Sequence, residues 1–217
     1  MTAGPAMAQP DRRKEPGPRQ PGPRQPGSRQ PGSRQPGSRQ SGSRQLGATE
    51  VKRLNRSWRQ RSEARVGLLL DSVGQPFNVG SIIRTAAAFG VDRIWLCGDT
   101  ASPDHPQARR TALGTGRLVT VEHEPSPAAA AAAAAEDGMR VIAIELAQHA
   151  VPLHEAPLDG DVCLALGHED HGCSGALLAA ADTVAYIPQL GRVGSLNVAA
   201  AAAIALAEAR RREWERA

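Results

Sequence analysis

Three short segments of this chain combine polar side chains with glycines, which is typical of a site that binds and orients a polar ligand. The first holds Asn78 and Arg84, the second holds Glu169, and the third holds Ser195 and Asn197. An amide, a guanidinium, a carboxylate and a hydroxyl can exchange hydrogen bonds with a substrate, and a guanidinium also suits a phosphate. These residue types therefore suit a site for a polar or anionic ligand.

The third segment, residues 187–204, reads as a strand end, a glycine turn, a polar pair and a helix. Ser195 and Asn197 are therefore expected where the helix begins. A Ser or Asn at that point caps the first free backbone N–H groups, and those groups also form a site for polar or anionic ligands. An ordinary helix cap and a ligand-binding role are both open for this pair.

Strands and helices that alternate along the chain must position these residues. Strands are predicted at 66–70, 93–96, 118–121, 140–144, 162–166 and 183–187, and helices at 79–89, 107–113, 128–136, 175–181 and 196–212. Such alternation predicts an α/β fold, a mostly parallel sheet with helices on both faces. Ligands of such sheets bind beyond the carboxyl ends of the strands, and all three polar segments follow a predicted strand.

Several common kinds of site are disfavoured by the motifs. No Gly-x-Gly-x-x-Gly lies between a strand and a helix, and there is no Gly-x-x-x-x-Gly-Lys phosphate loop. His168 and His171 are one residue short of the spacing that puts two imidazoles on one helix face, so no metal is expected. Cys97, Cys163 and Cys173 form no Cys-x-x-Cys pair, and free thiols of this kind fit a cytoplasmic protein.

The first part of the chain is a low-complexity tail. Six pentapeptides occupy residues 16–45, each with a glycine, an arginine and a glutamine, and none offers an apolar side chain to bury. Because such a tract cannot offset its ordering entropy, residues 1–49 are predicted to be disordered. The tail lacks the hydrophobic region of a signal segment, and no stretch of the chain predicts a membrane span.

Charge is distributed unevenly over the 217 residues, whose net charge is +4. Residues 1–50 carry nine basic and three acidic side chains, and residues 51–65 carry six and one. Residues 66–217 carry eleven basic and eighteen acidic side chains and are therefore acidic. Spaced arginines on a flexible chain attract phosphate without sequence preference. The tail is accordingly either an RNA-gathering arm or a solubilising tract without a partner.

A basic helical leader is predicted at residues 50–65, ahead of a domain at residues 66–217. Leu54 and Trp58 are four residues apart and share one helix face, with arginines around them. The leader is expected either to dock on the core or to contact RNA. Together with residues 99–116 it is the expected RNA contact surface.

The three polar segments, in this order, resemble the motifs of the SpoU/TrmH family, SPOUT-class RNA ribose 2′-O-methyltransferases that use S-adenosylmethionine. The resemblance covers residues 66–212. Its first motif corresponds to Asn78, Arg84, Thr85, Ala86, Phe89 and Gly90, its second to Leu166, Gly167, Glu169 and Gly172, and its third to residues 187–198. It implies a deep C-terminal trefoil knot, a homodimer and a structured RNA substrate, either tRNA or rRNA. The chain departs from the family pattern at His168, Cys173 and Gln189. These departures bear on fine specificity and affinity more than on the class of reaction.

The resemblance also implies roles for single residues. The catalytic or substrate-orienting set is Arg84, Asn78, Glu169, Ser195 and Asn197, and the cofactor set is Leu166, Gly167, Glu169, Ile187 and Leu196. Arg84 either activates the 2′-hydroxyl, as the resemblance implies, or grips the substrate phosphate, which suits a group that stays protonated. The plainer interpretations are a surface arginine for Arg84, a turn residue for Asn78 and an exposed loop carboxylate for Glu169.

The leading hypothesis is therefore S-adenosylmethionine-dependent methylation of a ribose 2′-hydroxyl in structured RNA. The alternative is a catalytically silent knotted module that binds RNA, against which the intact set of polar residues argues. A small-molecule α/β enzyme of another kind is a third hypothesis. The missing phosphate loops and the arginine-rich leader disfavour it.

Overall fold

The computed structural model describes residues 43–215 of the chain. Residues 1–42 and 216–217 lie outside the described residues, so the disorder expected for residues 1–49 stays a prediction. Ala48 and Thr49, which the sequence assigns to the tail, are the first residues of helix α1 (Ala48–Arg59).

Seven strands form one parallel sheet within the described residues. They are β1 (Val66–Asp71), β2 (Arg93–Cys97), β3 (Thr120–His123), β4 (Arg140–Ile144), β5 (Val151–Pro152), β6 (Val162–Leu166) and β7 (Thr183–Tyr186). Their order across the sheet is β3-β2-β1-β6-β4-β7-β5, and every pairing is parallel. The predicted parallel sheet is confirmed. Strand β5 is not predicted from the sequence, because its two residues are too few to form an apolar run.

Helices cover both faces of this sheet. After α1 come α2 (Pro76–Phe89), α3 (Pro106–Ala112), α4 (Pro127–Glu136), α5 (Gly175–Ala180) and α6 (Val198–Trp214). Along β1, Leu68 and Leu70 contribute to a core shared with α2 and α6, whereas Leu69 contributes to a second core shared with α4 and α5. The two cores follow from the two-residue period of a strand, whose successive side chains point to opposite faces.

Two helices near the polar segments begin at other residues than the sequence predicts. Helix α2 begins at Pro76 rather than at residue 79, because a proline suits the first helical position. Helix α6 begins at Val198 rather than at residue 196, because the side chain of Asn197 caps it. The strand expected at 118–121 is Thr120–His123, since residues 115–118 form a 3₁₀ turn.

A buried arginine ties the far end of α6 to the core. Arg210 is 4% exposed. Its guanidinium donates hydrogen bonds to the backbone oxygens of Phe89, Gly90 and Ala64 at 3.0, 2.8 and 2.8 Å, and to the carboxylate of Glu213 at 2.9 Å. These bonds hold the end of α6 against the end of α2 and against the segment that leads into β1.

The last turn of α1 docks on this end of α6. The Trp58 and Trp214 ring centroids lie 5.0 Å apart, and the guanidinium of Arg61 stacks 4.9 Å from the Trp58 centroid. None of the residues of α1, all of which are described, is buried. Docking by one end therefore leaves the basic side chains exposed, namely Lys52, Arg53, Arg56 and Arg59. Among residues 43–215, no helix is long and apolar enough to cross a membrane.

Candidate active site

The loop that follows β6, residues 167–174, lies at the centre of the site and is called the β6 loop. Because β6 lies between β1 and β4, the carboxyl ends of these three strands are neighbours. The loop closes on itself through His168 and Gly172, which exchange two backbone hydrogen bonds of 2.9 Å. A Cβ at Gly167 would overlap the backbone of Gly172 and Cys173, so only glycine allows this closure.

The tip of the β6 loop reaches the start of α2 through Glu169. One carboxylate oxygen, Oε2, accepts the N–H of Gly74 at 3.1 Å. The other, Oε1, accepts the N–H of Gln75 at 3.1 Å and Nδ2 of Asn78 at 2.7 Å. Partial burial alone would raise the pKa of Glu169, but these hydrogen bonds outweigh it and hold the pKa below its ordinary value. Glu169 is thus an ionised tether between the β6 loop and α2.

The side-chain amide of Asn78 joins Glu169 to the start of α6. Asn78 is 4% exposed. Its Oδ1 accepts a 3.0 Å hydrogen bond from Nδ2 of Asn197, while its Nδ2 donates to Glu169. The Oδ1 of Asn197 in turn accepts the N–H groups of Ala199 and Ala200 at 3.0 and 3.2 Å and so caps α6. One residue from each of the three polar segments therefore belongs to a single chain of hydrogen bonds.

A cleft of about 300 Å³ lies beside this chain of hydrogen bonds. Its walls include all five residues that the sequence assigned to the cofactor, namely Leu166, Gly167, Glu169, Ile187 and Leu196. A second cavity of about 500 Å³ opens between the segment after α1 and the end of α6. That cavity contains none of the residues of the three polar segments.

Ser195 and Arg84 stand outside the hydrogen-bonded chain. Ser195 does not cap α6, contrary to the sequence expectation, because the cap is Asn197; its side chain is exposed and lines the cleft. Arg84 is exposed on α2 and does not line the cleft. Among residues 43–215 its guanidinium has no hydrogen-bond or ion-pair partner, so the group is free to bind an external anion.

Two carboxylates that the sequence analysis missed hold the base of the β6 loop. Asp71, at the end of β1, is 2% exposed, and its Oδ2 accepts the N–H of Ser174 at 2.9 Å. Glu145 directly follows β4, and its Oε2 accepts the N–H of Cys173 at 2.8 Å. The sequence signal that could have identified them is a single acidic residue at the end of an apolar strand. Such a position faces the ligand-binding edge of a parallel sheet.

The thiols and histidines near the site show no features of a metal centre. Burial, and then the negative charges of Glu145 and Asp71, raise the pKa of the Cys173 thiol, which therefore stays protonated. The rings of His168 and His171 stack with centroids 4.7 Å apart. Within the described part of the chain, no group of three or more His, Cys, Asp or Glu side chains is arranged to hold a metal ion.

Comparison with known families matches residues 65–207 to the model of the SpoU rRNA Methylase family. This match spans more than half of the chain and contains all three polar segments. The chain belongs to the SpoU rRNA methylase family. The match begins after α1, so the basic leader lies outside the matched residues.

Relatives within the SpoU family act on ribosomal or transfer RNA. The chain is 38% identical over 141 residues to the Bacillus subtilis 23S rRNA (guanosine(2553)-2′-O)-methyltransferase RlmP, covering 65% of this chain and 56% of the relative. It is 33% identical over 156 residues to the Escherichia coli tRNA (guanosine(18)-2′-O)-methyltransferase, covering 70% and 65%. The chain therefore spans roughly six tenths of the length of such relatives.

A solved SpoU-type structure shares the fold. The AdoMet-bound rRNA methyltransferase from Sinorhizobium meliloti aligns with a TM-score of 0.61 and 32% sequence identity, covering 70% of this chain and 58% of that chain.

Proposed function

We propose that this protein transfers the methyl group of S-adenosylmethionine to a ribose 2′-hydroxyl in structured RNA, either tRNA or rRNA. The observation that carries this proposal is the Asn78 amide, which joins Glu169 and Asn197 beside the cleft. A bridge of this kind brings three separated motifs into one site. The relatives named as rRNA and tRNA 2′-O-methyltransferases support the same reaction.

The chemistry of the cleft fits S-adenosylmethionine, which supplies a methyl group on a cationic sulfonium. Ile187 and Leu196 offer apolar surface for a flat base. Backbone groups of Leu166 and Gly167 line the cleft and can form hydrogen bonds with a ligand. The carboxylate of Glu169 also lines the cleft and suits a ligand that carries positive charge. The AdoMet-bound relative supports this assignment.

The polar residues outside the chain of hydrogen bonds act on the RNA. A guanidinium stays protonated, so Arg84 binds a phosphate next to the target nucleotide and orients its ribose. The hydroxyl of Ser195, exposed in the wall of the cleft, orients the 2′-hydroxyl by a hydrogen bond. Asn78, Glu169 and Asn197 hold the two sides of the site at fixed separation, which aligns the reacting groups.

The leader and the tail extend the RNA contact surface in this proposal. The exposed side chains of Lys52, Arg53, Arg56 and Arg59 lie on a chain whose main domain is acidic, so they supply the attraction for phosphate that the domain lacks. Residues 99–116 contribute a second surface with exposed Arg109 and Arg110. Removing residues 1–59 should weaken RNA binding and make the affinity for RNA less sensitive to salt concentration.

The knot, the dimer and the location are further parts of the proposal. The match to the SpoU family model supports the C-terminal trefoil knot that the family resemblance implies. Exposed apolar side chains near the site, namely Phe77, Leu190, Val193 and Ile204, support a homodimer. Three buried free thiols support a cytoplasmic location. Sedimentation as a monomer at micromolar concentration would contradict the dimer.

The test is to incubate the purified protein with methyl-labelled S-adenosylmethionine and total RNA from a strain that lacks the gene. The wild type should place label in a 2′-O-methylnucleotide, and size fractionation then separates tRNA from rRNA substrates. Arg84→Ala should lose at least about 100-fold in rate while keeping cofactor affinity and thermal stability. Arg211→Ala, an exposed arginine at the far end of α6, is the matched control. Cofactor binding without any transfer would favour the silent RNA-binding module.

A further inference from the structure

Two carboxylates from neighbouring strands grip consecutive backbone N–H groups of the β6 loop. Glu145 accepts the N–H of Cys173 at 2.8 Å, and Asp71 accepts the N–H of Ser174 at 2.9 Å. This arrangement follows from the sheet order, because β6 lies between β1, which ends in Asp71, and β4, which Glu145 directly follows. The base of the loop is thus clamped from both sides, while Glu169 anchors its tip.

The two carboxylates differ in their relation to the cleft. Asp71 is buried and its second oxygen accepts the hydroxyl of Ser72 at 3.1 Å. Glu145 is partly exposed and lines the cleft, and its Oε1 accepts the N–H of Leu146 at 2.9 Å. Both oxygens of Glu145 are therefore occupied by backbone donors, so its carboxylate holds the protein backbone beside the ligand.

Gly172 shows how closely the loop is fitted to Glu145. A Cβ at Gly172 would overlap the carboxylate of Glu145, and its φ of 70° lies in the region that favours glycine. The carboxylate, the loop backbone and the wall of the cleft are thus in direct contact. Loss of one hydrogen bond here must change the shape of the wall.

We propose that Glu145 is a positioning residue that fixes the β6 loop in the shape that binds the cofactor. This inference rests on the proposed function and adds to it the group that sets cofactor affinity. A glutamine in the same place faces one of the two backbone N–H groups with its amide nitrogen, which has no lone pair to accept a hydrogen bond. A backbone donor is then left without a partner, and the hold of this side chain on the β6 loop is weakened.

Calorimetric binding of S-adenosylmethionine and S-adenosylhomocysteine tests the proposal. Glu145→Gln should weaken both ligands by about 10-fold or more, and by similar factors, because an anchor for the loop acts without regard to ligand charge. Glu136→Gln, an exposed residue at the end of α4, is the matched control and should bind both ligands as the wild type does. Thermal unfolding should show that both variants stay folded at the temperature of the titration.

Hydrogen exchange of the peptide spanning residues 166–174 provides a readout that does not depend on the reaction. Exchange should speed up about 10-fold or more in Glu145→Gln and stay unchanged in Glu136→Gln. If the wild type binds both ligands, unchanged affinity in Glu145→Gln would overturn the positioning role. A loss of affinity confined to the cationic S-adenosylmethionine would overturn it too. Failure of the wild type to bind either ligand would overturn the proposed function and this inference together.

Discussion

The amide nitrogen of Asn78 lies 2.7 Å from Oε1 of Glu169, although the two residues are 91 positions apart in the chain. The same amide accepts a hydrogen bond from Asn197, so both ends of this buried side chain are used. An amide donates at one end and accepts at the other without charge, so it satisfies both neighbours at once.

Asn78→Asp should destabilise the protein and impair cofactor binding. The change places a second carboxylate against Glu169 and removes the donor of the 2.7 Å hydrogen bond. The expected loss is about 2 kcal/mol or more in the free energy of unfolding, measured by urea denaturation. Asn55→Asp, an exposed change in α1, is the control and should leave the unfolding free energy nearly unchanged. Equal stability of the two variants would contradict the proposed bridge.

The stability of the protein should depend on pH through Glu169. Because hydrogen bonds lower the pKa of the folded state below the ordinary value of 4.5, ionised Glu169 stabilises the fold. This contribution is complete above pH 4.5 and is lost as the pH falls from there through the lower folded pKa. Glu169→Gln should therefore differ from the wild type at pH 7 and approach it at pH 3 in chemical denaturation. A difference that does not shrink with acid would count against an ionised tether.

Gly167→Ala should distort the β6 loop, whereas Gly175→Ala should not. The added methyl at residue 167 overlaps the backbone of Gly172 and Cys173, which cannot yield as a flexible side chain can. The expected cost is about 1–3 kcal/mol in stability, with loss of measurable cofactor binding in calorimetry. At Gly175, in the first turn of α5, no atom lies within 4 Å of the added methyl. That variant should keep its affinity and gain up to about 1 kcal/mol in stability.

Arg210→Met should lower stability without touching the cleft. The change leaves three backbone oxygens and the carboxylate of Glu213 without their buried guanidinium partner. We expect a loss of about 3 kcal/mol or more in urea denaturation, with cofactor affinity of the folded protein unchanged. Arg211→Met removes only exposed ion pairs and should leave stability nearly unchanged. A similar loss of stability in both variants would show that the buried hydrogen bonds of Arg210 stabilise the protein no more than exposed ion pairs do.

The class of fold and the places where chemistry could occur follow from local patterns in the sequence. Strands β1, β4 and β6 are buried on both faces, so they appear as continuous apolar runs that need no tertiary information to detect. Polar residues at the carboxyl ends of such strands mark the ligand edge for the same reason. Asn78, Glu169 and Asn197 were identified because they belong to short motifs that resemble those of the SpoU/TrmH family.

Which of these residues come into contact depends on how the strands and helices pack. Strand order brings β6 between β1 and β4, and nothing local in the sequence encodes which strands are neighbours. For this reason Asp71 and Glu145, each a single acidic residue after a strand, gained their partners Ser174 and Cys173 only in the folded chain. The same holds for Ser195, which lies in the wall of the cleft while Asn197 alone caps the helix. Contacts between residues far apart depend on packing, and packing is a property of the whole sheet.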